Sequence, residues 1–97
     1  MTATWFAART EGAPARLREA ASRWLAVSPA GEPVAQLTEA GGLALTAAIS
    51  AGATRDAALD LLAADALITL ALLAAVEQDP QALGDHASAV RAAVTPG

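Results

Sequence analysis

The chain has 97 residues, six cationic and ten acidic side chains for a formal net charge of −4, and no cysteine. That length holds one domain with a single modest core, and an acidic balance with scattered arginines argues against a nucleic-acid partner, because phosphate binding needs clustered cations. Without Cys there is no disulfide framework, thiolate nucleophile or thiolate metal site.

The apolar fraction of 55% is above the usual range, but nearly a third of the chain is Ala, so the excess is small side chains that let helix backbones approach closely. Every cation is Arg, which suits a GC-rich bacterial coding sequence. The opening MTATWFAARTEG has no basic leader followed by an apolar run and reads as mature sequence, with the cytoplasm as its expected compartment.

In chain order, Thr4 can cap a short helix over residues 4–11 that ends near Gly12 and carries Trp5 and Phe6, a hydrophobic lid on the bundle or on a partner subunit. Pro14 suits a first helical position, and the next helix, residues 14–27, is amphipathic. Leu17, Ala20, Ala21 and Trp24 share one face, while Arg16, Glu19 and Arg23 share the other. Trp24 reads as a core residue whose indole N–H reaches a rim partner, with ligand stacking as the minor alternative. The stretch SPAGEP at 28–33 is the clearest loop, and Pro33 restarts a helix over 33–51 that Gly52 ends. Gly41 and Gly42 inside that helix each cost about 1 kcal/mol against Ala. Either the helix breaks there or another backbone approaches closely.

The following helix, residues 54–78, is the one around which the fold is organised. Thr54 is its cap candidate, and the apolar run 61–76 is broken only by Asp65 and Thr69. At 100° per residue the large side chains Leu61, Leu62, Ile68, Leu70, Leu72 and Leu73 cover an arc of about 200°, against roughly 100° for an ordinary surface helix. Such a helix needs neighbours on most sides, as the centre of its own bundle or as the seam of an oligomer. The run is short for a membrane span and carries an acid, so a span is not expected. Asp79 and Pro80 then start a last helix over 80–94 with Leu83, Ala87, Val90 and Val94 as its apolar stripe.

These elements predict an all-α single domain over 1–97, a small antiparallel four-helix bundle with a highly apolar central helix, and a homodimer as the first expectation. Chemistry has one candidate location. An antiparallel hairpin turning at about residue 53 sets Asp65 level with Gly41 and Thr69 level with Leu37, so a carboxylate in the middle of the Leu arc would face a helix without a side chain. In one reading Asp65 is a satisfied core acid, held by Thr69, Thr38 or an Arg or paired across a subunit axis. In the sharper reading Gly41, Asp65 and Thr69, with Trp24 nearby, line a small-molecule pocket. In a third, Asp65 is exposed because the helix is turned the other way. His86 reads as a rim histidine, far along the axis from Asp65. No phosphate loop, serine elbow or metal-ligand cluster stands out, so no cofactor or metal is expected and an enzyme is the less favoured reading. The leading functional expectation is a self-associating interaction or scaffold protein that binds itself, or a larger protein, by helix-helix contacts.

Overall fold

The computed structural model describes residues 2–29, 31–80 and 83–94; the side chains of Leu83, Asp85 and His86 lie outside the described residues, and with them the expected roles of Leu83 and His86. The described chain is all-helical, with five helices: α1 (Thr2–Arg9), α2 (Ala15–Val27), α3 (Pro33–Ala51), α4 (Arg55–Gln78) and α5 (Leu83–Val94). Thr4 lies inside α1 and does not cap it, because the helix begins two residues earlier. The start expected for the last helix at Pro80 borders residues 81 and 82, which are outside the described set.

Local chemistry sets the ends of the two long helices. The Glu32 carboxylate caps α3, accepting hydrogen bonds from the backbone N–H of Ala35 at 3.0 Å and Val34 at 3.4 Å, with Pro33 in the first turn. Gly52, at φ +74°, ends α3 in a conformation that L side chains rarely adopt. Two residues later the Thr54 hydroxyl caps α4 by accepting from the Ala57 N–H at 3.0 Å. This short connection makes α3 and α4 an antiparallel hairpin. Ile49 lies by Leu61 at the turn, Gly41 lies against Ile68 in the middle, and Gln78 donates to Glu32 at 2.9 Å at the open end.

α3 runs unbroken through Gly41 and Gly42, and both glycines mark close approaches. A Cβ at Gly41 would stand 2.8 Å from Ile68 Cγ1 and 3.4 Å from Leu67 Cβ; one at Gly42 would stand 3.2 Å from the Ala93 carbonyl oxygen. One glycine therefore receives α4 and its neighbour receives α5. The α2–α3 loop is pinned from both sides, since the Gln36 amide donates to the Leu25 carbonyl at 3.1 Å and the Ser28 hydroxyl donates to the Gln36 carbonyl at 3.3 Å.

The core is built mainly of alanine. Ala20, Ala21, Ala40, Ala44, Ala63, Ala64, Ala71, Ala74 and Ala75 are buried around Leu37 and Leu67, the largest fully buried side chains, with Phe6, Leu25, Val34 and Val90 at its margins. α4 is therefore turned with most of its Leu arc outward, as in the reading in which Asp65 is exposed, and not as the centre of the chain's own bundle. Ala57, Ala63, Ala64, Leu67, Ala71, Ala74 and Ala75 face inward, while Leu61 and Leu62 are more than half exposed and Leu73 is 40% exposed. The physical reason lies on α3, whose facing side carries Ala40, Gly41, Ala44 and Ala48. Two small-residue faces bring backbones together and gain dense contact along the whole hairpin. Turning the leucines inward would hold the two helices apart.

Candidate functional site

The inward turn of the Ala face makes the opposite side of α4 the most distinctive surface of the molecule. Ala58, Leu61, Leu62, Asp65, Thr69 and Leu73 are exposed along it, and Leu72 and Val76 are half-buried within it. The stripe runs over five turns, from residue 58 to residue 76, about 27 Å along the helix. Ile49, 64% exposed, widens it at the hairpin turn, where Ala48, Ile49, Ala57, Ala58 and Leu61 line a shallow depression. Isolated exposed apolar residues are ordinary, whereas several on one contiguous face are not.

The four residues singled out in the sequence are not brought into one pocket. Gly41 is buried, and the space where a side chain would stand is filled by Ile68 and Leu67. Asp65 and Thr69 lie on the outward face of α4, one turn apart, and no hydrogen bond joins either side chain to another described side chain. Asp65 is thus not a core acid within the chain. Trp24 belongs to a different surface depression with Arg23, Val27, Asp56, Leu59 and Asp60, and its indole N–H donates to the Asp60 carboxylate at 3.0 Å. That bond satisfies the polar edge of a half-buried ring and ties α2 to α4.

A second polar junction escaped the sequence reading. Glu77, near the end of α4, accepts from the guanidinium of Arg9 at 2.8 and 3.0 Å and from the indole N–H of Trp5 at 3.2 Å. The guanidinium also lies over the Trp5 ring, 4.9 Å from its centroid. The Arg9 and Trp5 hydrogen bonds hold the Glu77 carboxyl below its ordinary pKa. The partners stand 68 and 72 residues apart, so no local spacing announces them.

A groove between α3 and α5 is lined by Thr38, Glu39, Gly42, Leu43, Thr46 and Ala93. Among the described residues no group of three or more His, Asp and Glu side chains could hold a metal ion. α4 is long and apolar enough by composition to cross a bilayer, a property that core helices of soluble proteins share. No protein family, curated protein or solved structure matches the chain.

Proposed function

We propose that this chain is a self-associating helical interaction protein whose docking surface is the outward face of α4, with a second copy of the chain as its first partner and a larger protein as a further one. The observation that carries this reading is the division of α4 into an inward Ala face and an outward Leu face. The first face is used within the chain; the second exposes Leu61, Leu62 and Leu73, with Leu72 half-buried against the edge of the core. Helices α2, α3 and α5 act in this reading as a bundle-like support that keeps α4 straight and leaves its outer side open. The pocket reading at Gly41, Asp65 and Thr69 draws no support from a geometry in which Ile68 fills the space beside Gly41.

A lipid surface is the competing occupant of an apolar helix face. Asp65 and Thr69 at the centre of the stripe disfavour it, because an acid in the middle of a lipid-facing stripe carries a heavy penalty, whereas at a protein seam it can find a hydrogen-bond donor. Sedimentation across a hundredfold range of concentration, together with flotation on phosphatidylcholine and phosphatidylglycerol vesicles, separates the cases. Mass action toward a dimer without flotation is the expected result. Flotation of the chain, or a monomer at every concentration, overturns self-association as its function.

A further inference from the structure

Resting on the self-association reading, we infer that two copies pair through α4 antiparallel, about a two-fold axis level with Leu67, in a register set by a reciprocal Asp65–Thr69 contact. The outward stripe reads nearly the same in both directions. Turning a second copy about an axis at the level of Leu67 sets Asp65 level with Thr69 of that copy, Leu62 with Leu72, Leu61 with Leu73, and Ala58 with Val76. Each apolar residue of the stripe then meets an apolar level, and each polar residue meets the other polar residue. This is the self-complementarity that an isologous two-fold interface requires, since the same patch must serve on both subunits.

The positions also have the spacing of a helix-helix seam. Ala58, Leu62, Asp65, Thr69, Leu72 and Val76 alternate steps of four and three, which keeps one narrow line of side chains facing a partner helix. Ala58, Leu62, Asp65 and Thr69 are exposed, and the direction they face is opposite to the buried line of Ala63, Leu67, Ala71 and Ala74. Leu61 and Leu73 flank the seam on its two sides.

Polar chemistry selects this register over its neighbours. Moving the axis two residues toward the N-terminus sets Asp65 against Asp65, two like charges at a closing seam. Moving it two residues the other way sets Thr69 against Thr69 and leaves Asp65 opposite Leu73. A parallel in-register pair again brings the two acids together. Only with the axis at Leu67 does each Thr69 hydroxyl donate to a carboxylate and each Asp65 accept from a donor. A single polar position in an apolar seam is the well-attested means by which helices fix register and orientation.

The chain has no cysteine, so cross-linking reads the register directly. One preparation carries Leu62→Cys and a second Leu72→Cys, and the two are mixed, equilibrated and oxidised. In the inferred register the two thiols of a mixed dimer are level. In either homodimer the substituted positions stand ten residues apart, about 15 Å along the seam, well beyond the roughly 7 Å between Cα atoms that a disulfide tolerates. The mixture is expected to convert up to about half of its dimers to a disulfide-linked form, and the separate preparations essentially none. The pair Ala58→Cys and Val76→Cys, whose positions stand eighteen residues apart in either homodimer and which leaves Asp65 and Thr69 in place, repeats the test at a second level should Leu72→Cys disturb its half-buried position. Disulfide formation by Leu62→Cys alone means a parallel seam and overturns the inference. A sedimenting dimer with no cross-link from either pair overturns the register and leaves self-association standing; a wild-type monomer removes both.

Discussion

Glu77 gathers three hydrogen bonds from a segment at the opposite end of the chain, and its chemistry makes the attachment of α1 sensitive to acid. Trp5 and Arg9 bond the carboxylate, not the carboxylic acid, so its folded pKa lies below its value in the unfolded chain. A group with a depressed folded pKa contributes stability above the unfolded carboxylate pKa, and that contribution is lost as pH falls through the folded value. Acidification below the ordinary carboxylate range is therefore expected to loosen α1 from α4. In a Trp24→Phe background, which leaves Trp5 as the sole indole, the fluorescence of Trp5 should move to the red on acidification; Glu77→Gln should show the red-shifted signal at neutral pH and little further change. A wild-type signal that ignores pH would mean that burial of Phe6 alone docks the helix. Of these contacts, the sequence allowed a lid formed by Trp5 and Phe6 but not its polar partner. Trp24 was legible more fully, since an indole on the apolar face of an amphipathic helix needs an acceptor at the rim, and Asp60 supplies it.

At the scale of the elements, the contact between α3 and α4 depends on a missing side chain. Gly41 gives up about 1 kcal/mol of helix propensity relative to Ala, and the compensation is the approach of Ile68, whose Cγ1 stands 2.8 Å from where a Cβ would lie. Ile68 is β-branched and stiff at χ1, so it cannot swing aside without disturbing the backbone of α4. Gly41→Ala is expected to destabilise the fold by about 1–2 kcal/mol despite the better helix former, because overpacking a close interface outweighs the propensity gain. Urea denaturation checks this; a stabilised variant would show that α3 and α4 are separated more widely. The helix ends on either side of the α3–α4 connection were legible, whereas Thr4 was misplaced as a cap and the Glu32 cap was missed. Gly52 and Thr54 act through neighbours two or three residues away, and such short-range chemistry is written locally. The rotation of α4 was not legible in the same way. A wheel ranked by bulk places the leucines inside, whereas the partner helix offers Ala40, Gly41, Ala44 and Ala48, a surface that only another small-residue face can approach. The periodicity of α4 holds two faces, and the one that folds the chain is the less bulky.

For the whole molecule, the proposed association assigns separate tasks to the two sides of one helix. Leu67 and the alanines around it hold α4 to α2 and α3, so a charge there would strike folding itself. Leu62 lies on the other side, 57% exposed, and a charge there leaves every described intramolecular core contact in place. Asp65 follows the same division: expected either as a core acid or as exposed, it stands with Thr69 on the outward stripe. The sequence left open whether the Leu arc is covered within the chain or at an oligomer seam, and the part that the chain leaves uncovered is the exposed stripe. The direct measurement is sedimentation equilibrium with circular dichroism on the wild type and on Leu62→Glu. A dimeric wild type and a monomeric Leu62→Glu with the same helical signal and cooperative melting are the predicted result. A Leu62→Glu chain that unfolds would place Leu62 in the core, and one that remains dimeric would place the interface elsewhere; either contradicts the division of α4 into a folding face and an associating face.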